Sequence, residues 1–533
     1  MTQPIHRRIR AGFRLVAGVA AMASGLAGHI AVAASLVIAL DVTPTAMDPH
    51  YHYVGQNTSP LSHVFEPLIS MDGDRTLSPA LAVSWRAVDD TTWQFNLRHG
   101  VKFHDGSDFT AEDVLFSLKR VALVPNSPSS FALYVSNVAS MRAIDPYTVE
   151  IKTKTPEAEF AIGLSQVLIM SHTAAAGPAP EGKTTQQLNA GEGMIGTGPY
   201  RFVRFAAGER VELVASPSYW GVAPEWDQVT MKVVNNAASR GAAVLSGDVD
   251  VAHVTSESLD RLNASPNVTV YAGDSCFFIY LALDQHQRSP GISDAGGRNP
   301  LLDKQVRTAL SLAINRAALA ERTLGGLARP AAELGSPTLF GANETMAHDP
   351  FDATQARQLL ADAGYPNGFG IKLATPAGLY SSDTDIAQAI AAMWTRVGVR
   401  TTVDGMVSSV FYARRNKLEF SAYVTFFCDY NGQVSYPLRL LSMTRNLAQA
   451  YGQVNLSGFS DAAFDQSLIE ALRTLDDDKR RALEQQASRF IVKDQHQVLP
   501  IVRLRYAYAT RRGLIFRPRL DTFLTAMQIS GVK

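Results

Sequence analysis

Two cysteines in a chain of 533 residues are too few for a disulfide scaffold, so the fold must rest on hydrophobic cores. Neither sign of charge is in excess. Forty-nine basic residues meet forty-nine acidic ones, which removes the electrostatic footprint of a nucleic-acid or anionic-membrane binder. Nucleic acid is not expected as a partner. Beyond the first 34 residues no run reaches the roughly 18 apolar residues that a membrane span needs. Neither an HExxH nor a paired CxxC occurs, so the usual zinc spacings are missing. No GxSxG or SxxK stands where a hydrolytic nucleophile would need it. The expectation is a protein with no metal, no cofactor and no enzyme activity, the alternative being an exported hydrolase with an unrecognised site.

What is present begins with an export signal. His6, Arg7, Arg8, Arg10 and Arg14 precede an apolar run at 15–27, and Ala31, Val32 and Ala33 follow in a pattern that a signal peptidase reads. Residues 1–34 are expected to be removed, leaving a mature chain that starts near Ala34 or Ser35. The apolar run is short for an uncleaved anchor, and no cysteine lies near the cleavage point to be lipidated. The mature protein is therefore expected free in the periplasm and not as a lipoprotein. In that compartment Cys276 and Cys428 either pair or stay free, and their spacing decides nothing.

Strand and helix signals alternate without a fixed repeat, which points to an α/β protein of two or three domains. Residues 35–40 (SLVIAL) read as a buried strand, 93–97 (WQFNL) as an alternating strand and 111–121 as an amphipathic helix. The region 303–322 reads as one long helical stretch. Residues 356–363 read as a helix stopped by Gly364 and Pro366, and 462–492 as a helical region broken near 474–478. Proline and glycine punctuate 173–199, a candidate boundary. In VKFHDGSDFTAEDVLFSLKR (101–120), His104 and Asp105 invite a metal reading. Asp105-Gly106 is instead a turn dipeptide, and Asp108 or Thr110 caps a helix whose first turn holds Glu112 and Asp113.

Several stretches together resemble one family. They are Met47-Asp48-Pro49, FEPLISMDG (65–73), LSPALAVSW (77–85), the run from TTWQFNLRHG through FSLKR (91–120), GTGPYRFVRF (196–205), SPSYWG (216–221), VRTALSLAINRAAL (306–319), ARQLLADAGYPNGF (356–369) and the tail from Leu499. In this order they are similar to the family 5 extracellular solute-binding proteins of ABC importers, which include oligopeptide-, dipeptide- and nickel-binding proteins. The resemblance implies a two-lobed periplasmic-binding-protein (Venus flytrap) fold with a small extra subdomain in lobe I. It implies a monomer that closes over a peptide or similar small amine-bearing solute and delivers it to the permease subunits of the importer. The boundaries it implies are lobe I at 35–70 and 190–272, the extra subdomain at 71–189, lobe II at 273–498, and a return to lobe I at 499–533.

FFCDYNG (426–432) resembles the segment by which peptide-binding relatives hold the ligand ammonium, so Asp429 inherits that role, flanked by Phe426, Phe427 and Tyr430. DPHYHYVGQ (48–56) resembles the facing loop and brings in Tyr53, Gly55 and Gln56. Phe131 and Tyr134 in SPSSFALY add an aromatic wall. Phe278 and Tyr280 share one strand face and stand either in the wall or in the core. Arg414, or Arg415, is the candidate for a peptide carboxylate. His50 and His52 tempt a nickel reading, but an i, i+2 pair on a loop more often faces solvent. TPAGLYSS (375–382) lacks the arginine that dipeptide-binding relatives carry after the proline. A strict dipeptide receptor is disfavoured, and an opine, sugar or metal complex stays open as the solute.

Overall fold

The computed structural model describes residues 34–531, residue 381 excepted. The expected leader therefore lies outside the described residues apart from Ala34. The main sheet is built from β1 (Ser35–Leu40), β2 (Tyr200–Ala206), β3 (Arg210–Ala215), β4 (Gln228–Val233), β5 (Val251–Val254), β6 (Val268–Leu283), β7 (Gly370–Ala377), β8 (Arg400–Val407), β9 (Ala422–Cys428) and β10 (Val498–Arg511). Ile292–Ser293 and Ala328–Pro330 complete its twelve strands. SLVIAL forms β1 because it lies between two parallel neighbours, β4 and β5, and is covered on both faces.

Two long strands join the two ends of this sheet. β6 first pairs with β10 beside β5, where Val268 faces Arg511 and Asp274 faces Arg505. The register then shifts, and from Phe278 onward β6 lies between β9 and the first residues of β10. Each end has its own cores. Leu36, Ile38, Met47, Phe65, Leu213 and Met231 belong to one end. Ile279, Leu310, Ile390, Trp394 and Leu499 belong to the other. The architecture is thus a two-lobed α/β molecule in which antiparallel strands cross between lobes, the arrangement that permits hinge closure.

A third core, with Leu81, Phe95, Val114, Phe103 and Ile151, fills a smaller unit. Its antiparallel sheet runs Ala82–Asp89, Thr92–Leu97, Thr148–Thr153, Val138–Asp145, against the helix Ala111–Arg120. Thr110 and Asp113 close a capping box at the start of that helix. Buried Asp113 also accepts hydrogen bonds from the His172 main-chain N–H (2.9 Å) and pairs with its Nδ1 (2.8 Å). Its neighbour Glu112 is exposed.

His104 has a structural task. Its Nε2 lies 2.9 Å from the Gly198 carbonyl, and its main-chain N–H donates to Gly196 O at 2.9 Å, so the KFHDG turn is stapled to GTGPY. Burial lowers the imidazole pKa and keeps it neutral. Gly196 and Gly198 are required by close approach: a Cβ would stand 1.9 Å from Val64 O at the first and 2.5 Å from His63 O at the second. Asp105 accepts from Ser107 within the turn. Among the described residues no group of three or more His, Cys, Asp or Glu is placed to hold a metal, and no helix is long and apolar enough to cross a membrane.

The stretch 303–322 is helical in two pieces and not one, the second running on through Leu319–Thr323. Lys304–Leu312 ends and the chain restarts at Arg316–Ala318, because Asn315 turns its side chain onto the Ala318 N–H (2.9 Å) as a new cap. The 462–492 region divides near its expected break, into Ala462–Arg473 and Asp477–Arg489. The two cysteines are joined. Cys276 on β6 bonds Cys428 at the end of β9, with 4.8 Å between Cα atoms.

Candidate functional site

A cavity of about 960 Å³ opens where the two lobes meet. One lobe supplies Asp41, Gly55, Gln56, His253 and Phe523, and the other Tyr380, Phe426 and Tyr430. The crossing strands supply Phe277 and Tyr506. Asp41 follows β1 and His253 lies in the parallel neighbour β5, so both stand at the carboxyl ends of strands, where open α/β sheets place their ligand crevices.

An aromatic ladder runs through this wall. The His253 ring stacks on Tyr506 (centroids 4.5 Å apart, planes 21° apart), and Tyr506 stacks on Phe277 (5.6 Å, 21°). Phe277 meets Phe426 at 5.3 Å, and Phe426 meets Tyr380 edge-on at 5.4 Å. Such a surface offers large apolar area at little cost in side-chain entropy, together with π faces that attract cations.

Gly55, Gln56, Phe426 and Tyr430 line the cavity. Tyr53 lies behind it, edge-on to Tyr430 at 6.0 Å, to Tyr134 at 5.5 Å and to Phe131 at 5.2 Å, and its hydroxyl donates to Gln166 Oε1 at 2.8 Å. These four rings join the small unit to the β9 side. Tyr53, Phe131 and Tyr134 support the wall from behind, and of the four only Tyr430 lines the cavity.

Asp429 is buried without any exposure directly after β9, and it does not itself line the cavity. Neither carboxylate oxygen has a hydrogen-bond partner. Burial pushes its pKa up to about 7, against the pull of the Arg75 charge, the nearby main-chain N–H groups of Ser336 and Asp429 itself, and the Arg503 charge. Arg75 comes from the small unit and donates from Nη1 to the Tyr430 carbonyl at 2.8 Å, while its Nε and Nη2 are buried and unpartnered. Such a carboxyl protonates unless a cation reaches it, and the charge then gains from being matched.

Other expected residues stand elsewhere. Phe278 and Tyr280 do share a face, but that face belongs to a core with Phe411, Leu438 and Ile491, and both side chains are fully buried. Phe427 packs partly into the same core against Phe278 and Tyr436. Arg414 points away from the cavity: on the helix Ser408–Asn416 it pairs with Asp404 (3.0 Å) and Glu419 (2.9 Å) and lies over Phe420. Its neighbour Arg415 covers Tyr412. Charge partners close to it in sequence, Asp404 on the preceding strand and Glu419 after the helix, hold Arg414, and spacing from Asp429 carried no information about them. His50 is fully buried with Nε2 against Leu168 O (2.7 Å), and His52 meets Thr45, so the two do not form a metal pair.

Sequence reasoning missed Asp41, His253, Phe277, Tyr380 and Tyr506. Asp41 and His253 lie 212 residues apart, and only strand order brings them together. Phe277 carries a weak signal, since alternation separates it from Phe278, yet alternation alone does not say which face meets the cavity.

The family model of bacterial extracellular solute-binding proteins, family 5 middle, matches residues 76–448. The chain is 27% identical over 482 residues to the glutathione-binding protein GsiB of Salmonella typhimurium, covering 89% of this chain and 90% of that protein. Solved structures with the same fold include HbpA2 from Haemophilus parasuis (TM-score 0.77, 22% identity, 93% of this chain and 99% of that one). They also include the periplasmic binding protein DppA of Helicobacter pylori in complex with the peptide STSA (TM-score 0.72, 22% identity, 94% and 98%). With its two lobes, crossing strands and interlobe cavity, this chain belongs to the family 5 bacterial extracellular solute-binding proteins, which bind solutes and are not enzymes.

Proposed function

We propose that the protein is a monomeric periplasmic receptor, exported by a cleaved leader, that takes a peptide or a similar small amine-bearing solute to the permease of an ABC importer. The observation that carries this reading is Asp429, a fully buried carboxyl with neither oxygen bonded, set immediately behind the cavity residues Phe426 and Tyr430. A positive group brought to it by lobe movement supplies the missing partner, and a charge-assisted bond of this kind contributes about 1.5–3 kcal/mol. The cavity volume suits a short peptide. The glutathione-binding and peptide-complexed relatives support the same class of solute. Ligand binding between the lobes favours the closed state by its differential affinity for that state.

Native mass spectrometry of the mature protein purified gently from periplasm tests the reading. A ladder of adducts at peptide masses is the expected result. One sharp non-peptide mass would overturn the peptide assignment and make the solute an opine, sugar or metal complex.

A further inference from the structure

We infer that the cavity contains a second charged subsite, at Asp41 and His253 on the lobe opposite Asp429, which receives a cationic side group of the solute, an ammonium or a guanidinium. The inference rests on the reading of the protein as a receptor for amine-bearing solutes and adds to it that the preferred solutes are basic.

The subsite follows from strand order. β1 and β5 are parallel neighbours in which Ala39 faces Ala252, so His253, one residue on, and Asp41, two residues on, both come to the cavity rim. Asp41 Oδ2 lies 3.1 Å from His253 Nδ1. Its own main-chain N–H also favours the carboxylate, and its side chain is 43% exposed, an acceptor opening into the cavity.

Arg240 stands beside the pair on the same cavity wall, its side chain largely buried. Its Nε donates to His253 O (2.8 Å) and its Nη1 to Val234 O (3.0 Å) and Asn235 O (2.9 Å). Nε and Nη1 are thereby spent on main-chain carbonyls, and Arg240 acts on Asp41 by its field. Burial alone would raise the Asp41 carboxyl, but the His253 bond and the His253 and Arg240 charges hold it below its ordinary value. The carboxylate is therefore present throughout the neutral range.

The surroundings favour a cation that is flat or carries alkyl groups. His253 stacks on Tyr506 and Tyr506 on Phe277, so a group bonded to Asp41 lies beside the start of the aromatic ladder. Aromatic faces attract ammonium and guanidinium groups, and a guanidinium stacks while bonding a carboxylate through its fork. A carboxylate-bearing group at the same place would be repelled by Asp41.

The test is calorimetric titration of the mature protein with two isosteric pairs, Ala-Ala-Arg against Ala-Ala-citrulline and free arginine against free citrulline. Each pair differs in charge and hardly in shape. In the wild type the arginine member is expected to bind about tenfold tighter or better, the scale of one charge-assisted bond. In Asp41→Asn that preference is expected to vanish. His253→Gln, which leaves the charge and removes the imidazole bond, is expected to reduce the preference by a smaller factor and serves if Asp41→Asn does not fold. Peptide pairs bound with equal affinity would overturn the subsite and leave the peptide reading standing. Discrimination between the free amino acids with no peptide bound would keep the subsite and overturn the peptide reading. Failure of every cationic probe to bind would overturn both.

Discussion

Asp48 and Arg120 form a bidentate ion pair with no access to solvent: Nη1 donates to Oδ1 at 2.7 Å and Nη2 to Oδ2 at 2.8 Å. The pair ties the loop after β1 to the end of the helix Ala111–Arg120. Arg120 also donates to Glu181 O and Lys183 O, while Asp48 accepts from the Thr185 hydroxyl and the His50 N–H. Two of the sequence marks, Met47-Asp48-Pro49 and FSLKR, thereby meet as one buried network. Its task is to hold the small unit on the loop that leads to Gly55 and Gln56.

Removing one partner of such a pair leaves a buried charge unmatched. Arg120→Met is expected to destabilise the protein by about 3–5 kcal/mol, measured by urea unfolding, whereas Arg120→Met combined with Asp48→Leu is expected to recover part of the loss. Burial would raise the Asp48 carboxyl, but the bonds and charge of Arg120 hold it below its ordinary value. That contribution is present at neutral pH and is lost as pH falls below about 4 through the depressed folded value. A double variant unfolding with the same acid dependence as wild type would show that the pair carries no linked stability.

The disulfide closes a separation of 152 residues and ends one position before Asp429. Reduction, or Cys276→Ser with Cys428→Ser, is expected to cost about 2–4 kcal/mol, chiefly through the freer unfolded chain. It is also expected to weaken solute binding, since the bond fixes the end of β9 where Asp429, Tyr430 and Phe426 are set. Thermal unfolding and titration with and without reductant check both parts. An unchanged affinity in the reduced protein would show that packing alone holds the β9 end.

The fold was legible because motifs such as KFHDG and GTGPY answer to one physical demand. His104 reaches main-chain carbonyls that only glycines at 196 and 198 allow so close. The cavity was legible where it is local in sequence, at Gly55, Gln56, Phe426 and Tyr430. It was not legible at Asp41, His253 and Tyr506, whose meeting depends on which strands become neighbours in a mixed sheet. Nor could periodicity settle Phe278 and Tyr280. β6 is covered on both faces in the lobe they occupy, and only at Phe277, where the strand passes between lobes, does one face reach the cavity.

Glu484 and Glu159 give the protein a pH response at the contact between the small unit and the helix Asp477–Arg489. Glu159 bonds Ser435 and Asn431 (3.3 Å). Glu484 is fully buried with both oxygens unpartnered, 3.9 Å from Arg480 and within the field of Arg481. Burial, and then the Glu159 charge, push Glu484 up to about 9 against those arginines. The folded state therefore holds a proton that the unfolded state releases from about pH 4.5. Stability falls as pH rises from there to about 9 and is flat beyond. Glu484→Gln, which mimics the protonated acid, is expected to raise the melting temperature at pH 8 and leave it unchanged at pH 4. Equal effects at both values would mean that packing, not the proton, decides.

Asp429 poses a conflict between stability and binding that one substitution resolves. The unliganded carboxyl is buried, unbonded and raised to about 7, so between about pH 4 and 7 the folded state takes up a proton and stability declines as pH rises. Asp429→Asn removes that penalty. The variant is expected to melt higher than wild type at pH 8 and the same at pH 3.5. If a solute amine is what normally matches the charge, the same variant binds amine-bearing solute about 10- to 100-fold more weakly. A functional carboxylate kept at a cost in stability gives these opposite signs. A structural carboxyl gives a change in melting with no change in affinity, and that outcome would leave Asp41 as the acidic anchor of the cavity.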